Sequence, residues 1–470
     1  MRSIEKDEFL PLGFLFIHSF LNGIALTFFE TTANTLFLMH YSTSQLPYVY
    51  ILTALFSVIA GFYYSKLEEK LSIETLLKIT MLFVLFIVLF FLLFINFSDS
   101  KLAYMGIMVM KDMIWMFAGM EFGILSGLMF NIRQGKRLFG LLMSGEILAG
   151  IIGGLSVGFL LEYIDTINLL FISSITLIIS FVLLLKILNK FSETFKADAK
   201  NKEVSKEKDT SAFSLFKNRY YVLFFSISML AFFIFYFIDY VFYFKVQETF
   251  SDEKELASFF GIFFALLNIV NLISSLFVSG VVLSRFGVTF GLLAIPVLAL
   301  GGTISLLITA LFSVSIGFLI LITVKLLNEV IDISILNPTF KLLNKSIPRS
   351  QRVKVLAFRE TVIGPTTMGT AGVFLLGASF FEGLDIVYYV IIVMSIAWLI
   401  LAKYLKNEYV KSLKKLLIQR EVFYDHLLLA DIDENLFING LSSENEIEVV
   451  YCLNALVKVG HKDIQNYLIN

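Results

Sequence analysis

The sequence is poor in the residues that build disulfides, metal centres and soluble surfaces. It contains one cysteine, Cys452, which excludes a disulfide framework within the chain and a cysteine-based metal site. The four histidines are scattered, and no zinc-helix, phosphate-loop or dinucleotide motif occurs, so we expect no metal, no cofactor and no enzymatic activity. Only 16% of the residues are charged, against about 25% in soluble domains, and a net charge of −1 gives no basic field for nucleic acid.

Apolar side chains are what the chain has in excess. Hydrophobic residues make up 58% of it, 51 of them are Phe, and the mean hydropathy is +0.84. Lipid is the natural solvent for this composition, and at about 20 residues per span the chain could hold about a dozen spans. The first apolar run is too long for a signal-peptide core and is predicted to be a membrane helix. Runs long enough to span fall at about 10–40, 45–65, 75–97, 102–130, 138–162, 167–188, 219–244, 256–280, 286–309, 312–338, 354–380 and 384–403.

The runs form two groups of six around a polar, Lys-rich segment. The sequence therefore predicts an all-α integral membrane protein with 12 transmembrane helices in two pseudo-symmetric six-helix bundles, plus a small cytoplasmic α-helical tail. The segment is predicted to be a solvated linker, with a short surface amphipathic helix as the alternative. The predicted domains are the N-terminal bundle, the linker, the C-terminal bundle and the tail, at residues 1–188, 189–218, 219–405 and 406–470.

The distribution of Lys and Arg in the loops predicts the orientation of the chain. Basic residues are concentrated in the second-to-third, fourth-to-fifth and tenth-to-eleventh loops and in the linker, and the loops on the other side hold few. Because cytoplasmic loops carry an excess of Lys and Arg, both termini are expected to be cytoplasmic. For a chain of this kind the bacterial inner membrane is the expected location.

The two halves of the sequence resemble copies of one another. Four features recur in the same order in both halves, each first-half residue having a second-half counterpart: Gly61–Lys66 with Gly280–Arg285, Glu30 with Asp239, Lys111 with Lys325, and Glu146 with Glu360. Glycines also recur every four residues at 119, 123 and 127 and at 150, 154 and 158. Faces of small residues at this spacing predict close packing of membrane helices.

The six-plus-six plan and the glycine-rich loops resemble the major facilitator superfamily. Its loop motif, Gly-x-x-x-Asp-Arg-x-Gly, is matched at 280–287 except that Ser284 stands in the Asp place. Lys136–Gly140, followed by Glu146 and the stretch 150–154, is similar to the ATP/ADP translocase family, although the first span has no Lys or Arg after Lys6. The resemblance implies a secondary transporter in which two bundles rock about a central site, and a nucleotide or nucleotide-like solute.

Charged residues inside the predicted spans are the candidate functional residues. A charge at the bilayer centre costs about 2.5–3.5 kcal/mol on insertion scales, so it requires a partner, a water-filled cavity or a function. Lys111 and Lys325 are candidate anion contacts, which favours a polar, anionic organic solute, with protons as possible co-substrates. The candidate substrate-binding or coupling residues are Glu30, Lys111, Asp112, Trp115, Glu121, Asp239, Lys325, Glu329 and Asp332.

Several of these residues have a structural alternative. Lys325, Glu329 and Asp332 lie on one helix face, where they form either a functional site or a satisfied ion network. Trp115 either stacks beside the Lys111 face or belongs to the core, while Lys111 and Asp112 are neighbours that are not expected to share a face. A cytoplasmic gate is predicted from Arg137, Glu146, Arg285, Arg352, Arg359 and Glu360, in which the two glutamates are alternatively proton carriers.

The tail has a different character from the spans. Residues 441–468 predict two amphipathic helices with a break at Gly460, and they resemble one HEAT-type repeat. A single repeat buries its apolar face poorly, so the tail is expected to pack on the rest of the chain or on a protein partner. The alternatives to transport are therefore a membrane-anchored scaffold or sensor that uses the tail, and a translocator of lipid or lysolipid.

Overall fold

The structure is a computed structural model, and it describes residues 6–98, 100–130, 132–192, 212–309, 314–380 and 384–418. Within these ranges the chain is helical and contains no strand. The first half forms six long helices, each matching one predicted span: α1 Lys6–His40, α2 Leu46–Lys70, α3 Ile73–Phe97, α4 Lys101–Met129, α5 Ile132–Leu161 and α6 Asn168–Lys190. A short 3₁₀ turn, Thr43–Gln45, joins α1 to α2.

The described part of the second half contains five stretches long enough to span, and the predicted span at 312–338 is divided among shorter elements. Its helices are α7 Arg219–Thr249, α8 Glu253–Ile273, α9 Ser279–Thr309, α10 Val314–Ile331, α11 Asn337–Lys345, α12 Arg349–Phe358, α13 Gly364–Ala378 and α14 Asp385–Ile418. Three π-helical segments join neighbouring pieces, namely π1 Ser274–Val278 after α8, π2 Asp332–Leu336 between α10 and α11, and π3 Arg359–Ile363 between α12 and α13. Such segments insert an extra residue into a helix and often lie at functional sites.

The composition of these helices explains why they form. Eleven helical stretches among the described residues are long and apolar enough to cross a membrane, so the protein is an integral multi-pass membrane protein. Helical backbone satisfies its own polar groups, which lipid cannot do. Local signals set the boundaries: the Ser72 side chain caps the N-terminus of α3 by accepting a hydrogen bond from the Thr75 amide. Gly287 interrupts α9 with φ 68°, a conformation that favours glycine, inside the loop motif identified above.

The described chain divides into two compact units. Unit 1 contains Met1–Asp209, Asp239–Leu272 and Met368–Gly383, and unit 2 contains Thr210–Ile238, Ile273–Thr367 and Leu384–Asn470. In unit 1, α1 packs against α4, α5 and α6 around fully buried residues such as Leu15, Leu36 and Ile107. In unit 2, α9 packs against α10 and α14. The domain boundaries expected from the sequence stay a prediction.

The two glycine series behave differently. A Cβ atom on Gly150 would lie 2.3 Å from the amide nitrogen of Asn268, and one on Gly154 would lie 2.4 Å from the backbone oxygen of Gly261. This face of α5 therefore packs directly against α8 within unit 1, as the spacing predicts. The prediction is wrong for the other series, because no atom of the described residues lies within 4 Å of the Cβ positions of Gly119, Gly123 and Gly127.

The last span continues without a break past the predicted start of the tail. α14 runs for 34 residues to Ile418, and the Ser412 hydroxyl donates a hydrogen bond of 2.7 Å to the Ser346 carbonyl in unit 2. The HEAT-like repeat predicted at 441–468 lies outside the described residues.

Candidate functional site

A buried lysine lies at the centre of the main polar cluster in unit 1. The Nζ atom of Lys111 on α4 donates hydrogen bonds to Asn34 Oδ1 at 3.3 Å and to Tyr243 Oη at 3.2 Å. Glu30 Oε1 and Asp112 Oδ1 lie 3.8 Å and 3.9 Å from the same atom. We call this the Lys111 cluster, and it comprises Glu30, Asn34, Lys111, Asp112, Trp115 and Tyr243.

Aromatic side chains hold the acidic groups of this region in place. The Trp115 indole N–H donates to Glu30 Oε2 at 3.0 Å, so Trp115 is bound to the cluster through Glu30. Tyr50 on α2 donates to Asp239 Oδ2 on α7 at 2.7 Å. Sequence position predicts that Lys111 and Trp115 share a helix face, but it does not reveal the acceptor on α1. The cluster gathers three elements, α1, α4 and α7.

Asn34 is the member of the cluster whose hydrogen bonds are incomplete. Its Oδ1 atom accepts from Lys111 and also from Tyr243 Oη at 3.0 Å, which fixes the orientation of the amide. Its Nδ2 atom is buried and has no hydrogen-bond partner among the described residues. A buried unpaired donor costs about 1–3 kcal/mol, so this amide is poised to bind an acceptor. The Glu30 and Asp112 side chains retain 20% and 45% exposure, which leaves carboxylate oxygens accessible.

One expectation about Lys111 is wrong. Adjacent residues point about 100° apart on a helix, which argued that Lys111 and Asp112 do not share a face. The structure nevertheless brings their charged groups to 3.9 Å. Lys111 therefore has carboxylates on two sides.

Glu121 does not join the Lys111 cluster. Its carboxylate lies against His18 of α1, with Nε2 3.0 Å and 3.1 Å from the two oxygens. Ser180 of α6 lies 2.9 Å from His18 Nδ1 and donates to Asn22 Oδ1 at 2.7 Å. We call this the His18 cluster, consisting of His18, Asn22, Glu121 and Ser180. The sequence analysis treats His18 only as one of four scattered histidines. His18 and Asn22 lie four residues apart inside an apolar span, and such a polar pair indicates a buried site.

Unit 2 contains the charged residues of the tenth span. Lys325 and Glu329 form an ion pair of 2.7 Å, as their spacing on one face predicts, and the Lys325 ammonium lies 4.6 Å from the Phe235 ring centre. Asp332 begins π2 and accepts a hydrogen bond of 3.1 Å from Asn337. Lys111 therefore meets carboxylates from two helices, and Lys325 meets Glu329 of its own helix.

Arg359 is buried at the start of π3. Its guanidinium lies 4.2 Å from the Phe340 ring centre and 5.2 Å from that of Phe232, and its Nε atom donates to Ser228 Oγ at 3.1 Å. It also pairs with the neighbouring Glu360. We call these residues the Arg359 cluster: Ser228, Phe232, Phe340, Arg359 and Glu360.

A side-chain hydrogen bond joins π1 and π2, because Ser274 Oγ donates to Ser334 Oγ at 2.8 Å.

The remaining residues of the predicted gate are placed separately. Arg352 in unit 2 donates to the carbonyls of Ile347 and Lys345 at 2.6 Å and 2.5 Å, so it caps the end of the preceding helix. Arg285 is exposed beside Phe286. Glu146 in unit 1 forms no ion pair with a described side chain. The side chain of Arg137 lies outside the described residues, and the gate stays a prediction.

Asn34, Tyr50 and Tyr243 are residues of the site that the sequence reasoning missed. The sequence candidates are charged residues and Trp115, whereas these three are other uncharged side chains that hydrogen-bond to Lys111 or Asp239. Within the described part of the chain, no group of three or more His, Cys, Asp or Glu side chains could hold a metal ion.

In the described part of the chain, long apolar helices enclose buried charged clusters. The family model described as Major Facilitator Superfamily matches residues 122–331. The fold is that of major facilitator superfamily transporters, whose members bind small-molecule substrates. No curated protein matches the chain.

Solved structures of transporters have the same fold. The nucleoside transporter NupG is 15% identical with a TM-score of 0.61, and the match covers 84% of this chain and 99% of that one. A bacterial homologue of the iron transporter ferroportin, in an inward-facing state, is 14% identical with a TM-score of 0.58, and the match covers 86% of this chain and 98% of that one. A D-xylose-proton symporter is 14% identical with a TM-score of 0.58, and the match covers 84% of this chain and 96% of that one. At these identities the likeness establishes the fold and leaves the substrate undetermined.

Proposed function

We propose that the protein is a secondary active transporter that carries a polar, nucleoside-like or nucleotide-like organic solute by alternating access. The observation that carries this proposal is the Lys111 cluster, in which the buried Asn34 Nδ2 donor lacks a partner among the described residues. An unpaired donor beside accessible carboxylates suits a solute that presents both acceptors and hydroxyl or amino donors. Trp115, which is partly exposed, adds aromatic surface for a planar ring.

Local charge bears on the choice between a nucleoside and a nucleotide. Glu30 and Asp112 already surround the Lys111 ammonium, and Asp239 lies nearby on α7 with Tyr50. A phosphate would have to displace these carboxylates from the lysine, whereas an uncharged nucleoside would leave the ion pairs intact. We therefore favour a nucleoside over the nucleotide that the resemblance to ATP/ADP translocases implies. The fold shared with NupG, described as a nucleoside transporter, supports the same choice.

Uptake into proteoliposomes tests the proposal directly. Radiolabelled uridine, adenosine and ATP are offered separately to vesicles with and without the protein. Asn34→Asp keeps an oxygen acceptor for Lys111 and Tyr243 but removes the unpaired donor, so KM should rise about tenfold, equivalent to about 1.4 kcal/mol. Lys111→Met should abolish uptake, since it leaves the surrounding carboxylates uncompensated.

Asn96→Asp is the matched control. It makes the same chemical change at an exposed position, where the amide donates to the Leu92 carbonyl at 2.7 Å, and it should leave KM unchanged. Uptake of ATP but not of uridine would mean that the substrate is a nucleotide and not a nucleoside. Normal uptake in both Asn34→Asp and Lys111→Met would overturn the assignment of the site.

We also infer that both termini face the cytoplasm of a bacterial inner membrane, from the charge of the loops. In a Cys452→Ser background, a cysteine introduced at Ser98 should react with an impermeant maleimide on intact cells, and one at Ser72 should react only after lysis. The opposite pattern would reverse the orientation. Participation of a protein partner through residues 406–470 remains a prediction, because residues 419–470 lie outside the described part of the chain.

A further inference from the structure

The His18 cluster is a second buried polar site, and it shares α1 and α4 with the Lys111 cluster. His18, Glu121 and Ser180 are each fully buried, and Asn22 is 5% exposed. Glu121 lies ten residues after Lys111 on α4, and ten residues of helix extend about 15 Å. A solute held at the Lys111 cluster would therefore not need to touch the His18 cluster.

The hydrogen bonds of the cluster require a proton between His18 and Glu121. The single hydrogen of Ser180 is donated to Asn22 Oδ1, so the 2.9 Å contact between Ser180 Oγ and His18 Nδ1 places a hydrogen on Nδ1. Nε2 lies against both oxygens of Glu121, and an ionised carboxylate only accepts. A further proton must therefore lie on Nε2 or on the carboxyl group.

The cluster also provides a partner for the state without that proton. Asn22 Oδ1 accepts from Ser180, which turns the Asn22 Nδ2 group towards His18 Nε2 at 3.3 Å. When Nε2 loses its hydrogen, its lone pair can accept from this amide. The arrangement therefore offers hydrogen bonds to both protonation states, which is what a group that repeatedly binds and releases a proton needs.

Among the side chains that the structure describes, no fixed positive charge substitutes for the proton. α1 has no Lys or Arg after Lys6, and no described Lys or Arg lies within ion-pair distance of Glu121. Of the elements around His18, α5 contributes Glu146 beside Gly23, α2 contributes Tyr64, which interacts electrostatically with Glu121, and the Lys186 side chain on α6 is exposed. Without the proton, the pair would carry an uncompensated negative charge in a fully buried site.

We propose that the His18–Glu121 pair is the proton-binding site through which this carrier couples transport to a proton gradient. This inference rests on the proposed transport function. The proton binds between His18 Nε2 and Glu121 from one side of the membrane and leaves to the other side when the carrier changes state. His18 and Glu121 are coupling residues, because the solute is held at the Lys111 cluster.

A substrate-free measurement tests the protonation site by itself. Solid-state ¹⁵N NMR of histidine-labelled protein in liposomes is recorded from about pH 5 to about pH 9, the interval in which histidine ordinarily changes charge. The His18 signals are identified by their loss in His18→Gln. At low pH the proton should be seen either as a second protonated ring nitrogen or, in ¹³C spectra of glutamate-labelled protein, as a protonated Glu121 carboxyl, and it should be absent at high pH. A single unchanged protonation state across this range would overturn the proposal.

Transport by Glu121→Gln tests the coupling. The glutamine keeps an acceptor for His18 but cannot exchange a proton. It should retain uridine counterflow within about twofold and lose the accumulation, of up to about tenfold, that a tenfold proton gradient drives through one-to-one coupling. Accumulation that persists in Glu121→Gln would overturn the coupling role. If the wild type carries no uridine, the proposed function fails, while the NMR titration still decides whether the pair binds a proton.

Discussion

Gly154 on α5 and Gly261 on α8 bring the backbones of their helices into contact, because a Cβ atom on Gly154 would lie 2.4 Å from the Gly261 oxygen and 3.0 Å from the Ala265 nitrogen. Backbone atoms cannot yield as the end of a side chain can. We therefore expect Gly154→Ala to push α5 and α8 apart and to destabilise the protein by about 1–3 kcal/mol. Thermal unfolding in detergent measures the change.

Gly123→Ala is the control for that substitution. Nothing lies within 4 Å of its Cβ position, and alanine is the better helix former, so stability should stay the same or rise slightly. Equal losses in Gly154→Ala and Gly123→Ala would contradict close packing of α5 and α8.

Gln247 on α7 binds the turn between α1 and α2 through four hydrogen bonds. Its Oε1 atom accepts from the amide and hydroxyl of Thr43 at 2.8 Å and 2.5 Å, and Nε2 donates to the carbonyls of Leu38 and Tyr41. Gln247→Ala should cost about 1–3 kcal/mol and speed hydrogen–deuterium exchange at the Thr43 amide. Glu248→Ala removes only an exposed pair with Lys245 and should leave that amide protected.

Substitutions of Lys325 and Glu329 test whether their ion pair is structural or functional. Their side chains are 4% and 18% exposed, so removing either partner leaves a buried charge and should cost about 3–5 kcal/mol. In Lys325→Met/Glu329→Met both charges are absent, and much of the stability should return. We expect the double variant to unfold near the wild-type temperature yet to transport poorly. Transport at the wild-type rate would make the pair purely structural.

Arg359 should not tolerate replacement by lysine. The guanidinium lies between Phe340 and Phe232 and donates to Ser228 through Nε, an atom that lysine lacks. Arg359→Lys should lower stability by about 1–2 kcal/mol, mainly from lost cation–π contact. Arg285→Lys, at an exposed position, should change stability by less than about 0.5 kcal/mol. An Arg359→Lys protein as stable as Arg285→Lys would mean that the aromatic contacts contribute nothing measurable.

Hydropathy and helical spacing predicted most of the fold. Eleven of the predicted runs correspond to helical stretches long enough to span, because the thickness of the bilayer sets a span of about 20 apolar residues, and the run at 312–338 is divided among α10, π2 and α11. The pair of Lys325 and Glu329 followed from its spacing on one helix. The π-helical segments were not predicted, since an extra residue in a helical turn leaves no mark on hydropathy.

The candidate site was predicted only in part. Lys111, Glu30 and Trp115 were identified as charged or aromatic residues at depth, and the structure joins them. The partners Asn34 and Tyr243 come from other helices, so only tertiary packing reveals them. Glu121 was grouped with Lys111 because both lie on α4, yet ten residues of helix separate the two sites. Its partner His18 escaped notice because sequence spacing cannot relate α1 to α4.

The unbroken length of α14 has a mechanical consequence. Its 34 residues extend about 51 Å at 1.5 Å per residue, whereas the hydrocarbon core of a bilayer is about 30 Å thick. About 20 Å of α14 is therefore left over beyond the thickness of the hydrocarbon, and Ser412 near its end donates a hydrogen bond to the Ser346 carbonyl. A rotation of unit 2 would therefore move the end of α14 farther than the part of the helix inside the hydrocarbon. A spectroscopic label near Ile418 would report this larger displacement.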